Sequence, residues 1–259
     1  MKPNYKNWVP KGMIISFFAA AGVLALITAG LWLNGILGLA MKIILCLGTL
    51  AVLCFGLFFL HLYNTFSYTG KTQFARRIID KVSDYVVLPE GGKGLDVGCG
   101  SGALTIACAK KNPQAHMTGL DRWGKEYASF SNALCLDNAK AEGVEKNTDF
   151  VQGDACKLNF PDETFDAVTS NYCYHNIPST DRQAIILESL RVLKKGGTFA
   201  IHDEFTKSKY GNTQNLVKKL QDLGYEKVEL LDTSDGLFMT HKEAASLCLV
   251  GSGLLVGKK

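Results

Sequence analysis

Residues 95–102 read Leu-Asp-Val-Gly-Cys-Gly-Ser-Gly, an apolar run followed by an acid and three glycines at alternate positions. The glycines let the backbone approach a ligand where any Cβ would clash. Asp96 presents a carboxylate to a hydroxyl or ammonium group, whereas a phosphate-binding loop would avoid a negative charge there. The stretch therefore predicts a strand, a tight turn and a nucleoside ligand whose adjoining group is not a pyrophosphate.

A second pattern fits part of the same stretch. Gly98, Gly100 and Ala103 satisfy the G-x-G-x-x-G/A fingerprint of dinucleotide-binding folds, and Asp121 follows at the distance typical of a ribose-binding acid. This pattern alone is a weak indication. The acid before the first glycine and the additional Gly102 favour the nucleoside interpretation, and an NAD-dependent oxidoreductase stays open as an alternative.

Apolar strand patterns alternate with helical patterns after residue 70. The predicted strands are 93–97, 115–120, 149–152, 165–170, 198–202, 225–231 and 253–257. The predicted helices are 71–87, 101–111, 125–142, 180–194 and 211–223. This alternation predicts an α/β domain with a Rossmann-like, mainly parallel sheet and helices on both faces.

The segment 96–102 resembles the first motif of the class I S-adenosylmethionine-dependent methyltransferases, which reads acid-x-Gly-x-Gly-x-Gly. Residues 160–166 and 190–197 resemble this family's approach to its fourth strand and its turn before the fifth, although Lys195 stands where proline is common. The resemblance covers roughly residues 72–258 and is strongest to the small-molecule branch with the ubiquinone and menaquinone methyltransferases. It implies S-adenosyl-L-methionine as the cofactor.

Ligands of open α/β sheets bind beyond the carboxyl ends of the strands, at the switch point of the strand order. Asp121 ends the second predicted strand and is expected to accept from both ribose hydroxyls or, alternatively, to cap the next helix. The resemblance implies that Asp154, after the third strand, bonds the adenine amino group; a simple Asx-turn is the alternative. The predicted cofactor-binding residues are Asp96, Gly98, Cys99, Gly100, Gly102, Asp121, Arg122, Asp154, Ala155 and Asn171.

The predicted acceptor side is residues 171–176, Asn-Tyr-Cys-Tyr-His-Asn, just past the fourth strand. A sulfonium methyl is already activated, so holding nucleophile, carbon and sulfur in line supplies much of the acceleration. A general base matters only when the acceptor carries a proton at neutral pH. His175 is predicted as that base or as a substrate orienter, with a loop-bracing role as the alternative. Tyr172, His202 and Asp203 are further candidates.

Two apolar stretches, 13–33 and 43–63, dominate the first 70 residues, which contain four Lys and no Asp or Glu. A helix of about 21 residues spans roughly 30 Å, the hydrocarbon thickness of a bilayer. The prediction is a membrane hairpin over residues 1–70 and a methyltransferase domain over 71–259. Buried core helices and a cleavable signal peptide are the alternatives.

Basic residues flank the hairpin on its outer sides, whereas the connecting loop offers only Lys42. The flanking residues are Lys2, Lys6 and Lys11 before it, and Lys71, Arg76 and Arg77 after it. The positive-inside bias therefore predicts an integral membrane protein with two spans, with both termini and the catalytic domain in the cytoplasm.

The net charge of +4 belongs to the first 70 residues, because the remaining basic and acidic residues balance. This balance gives no support for a nucleic-acid partner. The eight cysteines show no C-x-x-C pairing and no His cluster at metal-ligand spacing, so no metal site is predicted.

The acceptor itself is constrained by two features. No Asn/Asp-Pro-Pro-aromatic motif follows the fourth strand, which argues against amino groups of nucleobases as acceptors. The hairpin favours a small, lipophilic acceptor and contact with membrane lipid. Cys173 and Cys156 leave an arsenite-methyltransferase-like interpretation open, and a non-catalytic membrane adaptor is the alternative from another class.

Overall fold

The computed structural model describes residues 2–35, 38–124, 128–179 and 181–259. Contacts within the chain divide it into two units. Asn7–Arg76 form the first unit, and the residues up to Lys6 together with Arg77–Lys259 form the second. The short segment ahead of the first apolar helix thus belongs to the same unit as the sheet, and the hairpin interrupts that unit in the sequence.

The first unit contains the two predicted apolar helices, α1 (Lys11–Leu33) and α2 (Leu39–Thr65). They are in contact along their lengths, and the Phe17 ring stacks on Phe59 with centroids 5.3 Å apart. Their remaining surface is apolar and open, as at Leu33, which is 85% exposed. By length and composition both helices are able to cross a membrane.

The second unit is built on one seven-stranded sheet in the order β3-β2-β1-β4-β5-β7-β6. The strands are β1 (Lys93–Val97), β2 (His116–Asp121), β3 (Thr148–Gln152), β4 (Phe165–Asn171), β5 (Leu193–Glu204), β6 (Glu226–Asp232) and β7 (Ser252–Lys258). The pairs from β3 to β5 are parallel, and β7 lies antiparallel between β5 and β6. The Rossmann-like, mainly parallel sheet is confirmed. The strand order reverses between β1 and β4, which opens a crevice at their carboxyl ends.

Helices connect these strands. They are α3 (Phe74–Ser83), α4 (Ala103–Lys111), α5 (Asn132–Glu142), α6 (Arg182–Arg191), α7 (Lys207–Tyr210), α8 (Thr213–Asp222), α9 (His241–Ser246) and a short 3-10 helix, Tyr174–Asn176. Helix α5 begins later than predicted, because the Ser131 side chain accepts from the Leu134 amide and caps the helix there. The predicted starting residues Lys125 and Thr180 lie outside the described residues.

The central strands are buried, as in other parallel sheets. Leu95 and Val97 of β1, Val168 of β4, Ile201 of β5 and Leu255 of β7 are all fully buried. Each such side chain contributes about 1.5–3 kcal/mol of burial free energy, so the central strands of the sheet are firmly held in place.

Candidate functional site

The loop after β1 adopts left-handed backbone at its three glycines, Gly98, Gly100 and Gly102, with φ of +77°, +56° and +80°. A Cβ on Gly98 would lie 2.2 Å from the Cys173 sulfur, and one on Gly102 would lie 2.9 Å from the Phe150 ring. Glycine is therefore required by backbone geometry and by packing from inside the protein. Gly98 and Gly100 remain partly exposed on this turn.

Asp96 lies at the base of this loop and is fully buried. Its Oδ2 accepts a hydrogen bond from the Thr105 hydroxyl at 2.7 Å. Burial raises the pKa of Asp96 to about 7, and the bond from Thr105 opposes that shift only in part. A cationic group at the loop would favour the ionised form of the Asp96 carboxylate. Contact between Asp96 and a ligand stays a prediction.

Asp121 ends β2 and holds the loop from the opposite side. Its Oδ2 accepts from the Gly100 amide at 2.8 Å, and its Oδ1 accepts from the Trp123 amide at 2.7 Å. The Trp123 indole N–H in turn donates to the Gly100 carbonyl at 2.9 Å. Each carboxylate oxygen keeps a lone pair, so the residue is able to hold the loop and accept from ribose hydroxyls together.

The loop after β3 contains two further predicted ligand residues, Asp154 and Ala155, and a third, Arg122, directly follows β2. Asp154 is exposed, and its Oδ1 accepts from the Cys156 amide at 2.8 Å, which forms an Asx-turn. Ala155 is buried, and Arg122 is exposed. The Asx-turn alternative is present, and contact of Asp154 with adenine stays a prediction.

His202 is not placed to meet an acceptor, although the sequence predicted a catalytic role. It is fully buried, its Nδ1 donates to Asn171 Oδ1 at 2.8 Å, and the Thr233 hydroxyl donates to its Nε2 at 2.9 Å. Burial lowers the pKa of His202 to about 3, so the ring stays neutral. Both nitrogens are occupied, and the residue braces the ends of β4 and β5.

Tyr172 also supports the site instead of acting as a base. It has φ of +49°, and its hydroxyl shares a 2.8 Å hydrogen bond with Ser252 Oγ. Its ring lies edge-on to His202, with centroids 4.6 Å apart. Burial raises the pKa of its phenol above the ordinary value, so it does not ionise near neutral pH. Strained backbone of this kind is common where a loop is held for function.

His175 and Asp203 form a pair that the sequence did not predict. His175 Nδ1 lies 2.5 Å from Asp203 Oδ1, and the His175 amide donates to Asp203 Oδ2 at 3.2 Å. The His175 side chain is 13% exposed and that of Asp203 is fully buried. Burial alone would raise the pKa of Asp203, but the bond and charge of His175 hold it below the usual range.

This pairing leaves the other ring nitrogen of His175 available. Among the described residues, Nε2 has no hydrogen-bond partner. A buried carboxylate on Nδ1 fixes that tautomer and the orientation of the ring, as in catalytic triads. Tyr210 lies beside the pair, and its buried hydroxyl has no partner with hydrogen-bond geometry in the described part of the chain. The arrangement can orient a polar acceptor and take a proton from it.

Cys173 joins the two halves of the site, because it packs against Gly98. Burial raises the pKa of its thiol well above the ordinary value, so it is protonated at neutral pH. Cys156 is exposed on another loop. These environments favour a packing role for Cys173 over the thiolate that arsenic chemistry would need.

Family comparison agrees with this geometry. Residues 95–201 match the model of a family described as a methyltransferase domain. The loop, the acid at the end of β2 and the sheet define a class I S-adenosylmethionine-dependent methyltransferase domain, with S-adenosyl-L-methionine as its cofactor.

Two curated relatives carry enzyme names of this class. The chain is 31% identical to a sterol 24-C-methyltransferase of Gibberella zeae over 167 residues, which span 64% of this chain and 38% of the relative. It is 36% identical to a demethylmenaquinone methyltransferase of Bacillus licheniformis over 120 residues, which span 46% and 47%. The chain thus matches less than half the length of each.

Solved structures share the fold. The 4+2 cyclase SpnF has a TM-score of 0.53 at 23% identity, over 71% of this chain and 81% of that one. Geranyl diphosphate methyltransferase, solved with GPP and sinefungin, has a TM-score of 0.52 at 13% identity, over 72% and 82%. Likeness at this level establishes architecture, and activity has to be argued from the site.

Proposed function

We propose that the protein is a membrane-anchored S-adenosylmethionine-dependent methyltransferase that acts on a small, lipophilic acceptor by in-line methyl transfer. One observation carries the proposal: a glycine loop held by Asp121 and the His175–Asp203 pair both lie at the carboxyl ends of neighbouring strands. The contact between Gly98 and Cys173 brings the donor side and the acceptor side together.

The residues present fit the methyl donor. The left-handed glycines leave room at the loop, and Asp121 offers oxygen lone pairs where a ribose would lie. When bound, S-adenosylmethionine supplies an activated methyl group on a sulfonium. Asp96 carries the carboxylate that favours a cationic ligand, and the turn after β3 adds Asp154 at the rim.

His175 acts as base or orienter in this proposal. Asp203 holds the Nδ1 hydrogen, so Nε2 is the atom that receives a proton from an acceptor hydroxyl, thiol or amine. The imidazolium that forms is stabilised by the buried Asp203 carboxylate. Acceptors without an exchangeable proton would use His175 for orientation only.

Binding measurements separate this function from its alternatives. Calorimetry with the detergent-solubilised full chain should show binding of S-adenosylhomocysteine and none of NAD. Binding of NAD instead would support an oxidoreductase and overturn the proposal. Binding of neither would leave a non-catalytic adaptor and also overturn it.

The lipophilic acceptor is supported by the two apolar helices and by the relatives, which are sterol and demethylmenaquinone methyltransferases. Incubation with radiolabelled methyl donor and a fractionated cell extract tests it. Label should enter the organic-solvent fraction faster than the aqueous fraction. Equal or preferential labelling of water-soluble compounds would contradict this part of the proposal.

Both termini are proposed to face the cytoplasm, on the strength of the lysines that flank the hairpin. The exposed Cys156 and Cys248 make a native probe. A membrane-impermeant maleimide should label them in inverted vesicles and leave them unlabelled in intact cells. Labelling in intact cells would contradict this orientation and would place the two cysteines outside the cytoplasm.

A further inference from the structure

The segment ahead of α1, residues 2–6, is seated on helix α5. The Asn4 amide donates to Asn138 Oδ1 at 2.7 Å, and Asn138 Nδ2 donates back to the Asn4 carbonyl at 3.2 Å. Tyr5 is 5% exposed, and its hydroxyl donates to Glu142 Oε1 at 3.2 Å. Main-chain and side-chain bonds therefore both hold this segment.

The same asparagine reaches the cofactor loop. Asn138 Nδ2 also donates to the Ser101 carbonyl at 3.0 Å, and Ser101 lies between two of the left-handed glycines. Asn138 is 2% exposed, so these bonds form away from water. The amide has two N–H groups and one oxygen, and all three are used.

A second connection runs through Glu142. Its Oε1 accepts from Tyr5, and its Oε2 accepts from Lys110 Nζ at 2.7 Å. Lys110 lies on α4, the helix that begins directly after the glycine loop. The segment 2–6 is thus bonded to α5 and, through Glu142, tied to α4, the two helices that flank the donor site.

We propose that residues 2–6 are a brace that holds the glycine loop in its donor-binding conformation, with Asn138 and the Asn4 amide as positioning residues. The inference rests on the proposed function, since the ligand concerned is the methyl donor. A loop with three glycines loses much backbone entropy when it is ordered. Bonds that fix it beforehand lower that cost at the moment of binding.

Substitutions in the full chain test the brace. Asn4→Pro removes the amide hydrogen that bonds Asn138, and Asn4→Ala retains it. Asn138→Ala removes the whole link to Ser101. The control is Asn112→Ala, because Asn112 also bridges separate segments, bonding the main chain of Leu88, Val86 and Cys108.

The readouts are the Kd for S-adenosylhomocysteine, kcat at saturating donor, and hydrogen exchange of the loop amides without ligand. Asn4→Pro and Asn138→Ala should weaken binding about fivefold, leave kcat unchanged and speed exchange of the 98–102 amides. Asn4→Ala and Asn112→Ala should leave Kd unchanged, although Asn112→Ala lowers the melting temperature.

Each outcome has a distinct meaning. Unchanged Kd and unchanged loop exchange in Asn4→Pro overturn the brace, even if Asn138→Ala fails to fold. A fall in kcat with Kd unchanged also overturns it, because positioning of the donor acts on binding. Failure of the unmodified chain to bind S-adenosylhomocysteine would overturn the proposed function, whereas loop exchange would still report on the brace.

Discussion

The donor side and the acceptor side of the site are built in different ways. The proposed donor side consists of main chain and short carboxylates, of which Asp121 holds the glycine loop directly. The acceptor side consists of side chains paired over long separations, such as His175 with Asp203 and Tyr172 with Ser252. A binding surface made of main chain suits a ligand that does not vary, because substitutions change it little. Paired side chains can be substituted one at a time, so they can adapt to different acceptors. The first half therefore suits a shared cofactor, and the second suits a particular acceptor.

The largest expected effect separates the two sides at His175. His175→Gln should lower kcat by about a hundred- to ten-thousandfold for an acceptor that carries a proton, because the base is lost. The Kd for S-adenosylhomocysteine should not change. His116→Gln is a matched control, since His116 pairs with Asp149 at the far end of β2. A parallel loss of donor binding in His175→Gln would contradict the division of the site into a donor side and an acceptor side.

Gly98→Ala should damage both sides at once. The added Cβ would lie 2.2 Å from the Cys173 sulfur at a φ of +77°, and strain plus overpacking cost about 2–4 kcal/mol of unfolding free energy. Chemical denaturation measures this loss. Gly143→Ala is the control, because its φ is +73° with open space around it, and it should cost about 1–2 kcal/mol. Equal losses would show that the Gly98–Cys173 contact is unimportant.

Asp121→Asn should affect the donor side alone. The amide cannot accept with both ends, so the loop loses one charge-assisted bond and the ribose loses its acceptor. The Kd for S-adenosylhomocysteine should rise about ten- to a hundredfold. Asp149→Asn on β3 should leave that Kd unchanged. An unaltered Kd in Asp121→Asn would remove Asp121 from the donor site.

The smallest effect is a pH dependence at Asp96. Its pKa of about 7 lies above the ordinary 3.8, so this group's contribution to stability falls as the pH rises between these values. A bound ammonium group favours the ionised carboxylate. Affinity for S-adenosylhomocysteine should therefore rise by up to about tenfold between about pH 6 and pH 8. Asp96→Asn should flatten the profile, and an unchanged profile would exclude Asp96 as its source.

Much of the fold could be predicted from local patterns. Strand β1 occupies the predicted residues 93–97. The apolar run indicates the strand itself, and the glycine that follows it indicates where the strand ends. Strand β5 extends beyond the predicted 198–202, since Leu193 pairs with Phe165 across an irregularity that no local pattern marks. Helix α7 was not predicted, because four residues carry too little periodicity.

The glycine loop of the candidate donor side could be located from the sequence for the same reason, whereas the side-chain pairing on the candidate acceptor side could not. Asp203 and His175 are 28 positions apart, and their pairing follows from the register of neighbouring strands. The burial of His202 depends on Thr233, which arrives from the connection after β6. Titratable residue types therefore indicated a candidate region, and tertiary pairing decides which of these side chains keeps an unpaired atom in the described part of the chain.

The path of the chain has a practical consequence for making a water-soluble version. Because residues up to Lys6 group with Arg77–Lys259, trimming everything before residue 71 would discard part of the unit that contains the sheet along with the two apolar helices. Replacing only 7–76 by a flexible glycine-serine joint would retain Asn4 and Tyr5. The version that lacks only residues 7–76 should then keep its affinity for the methyl donor, while the version trimmed before residue 71 should bind it more weakly.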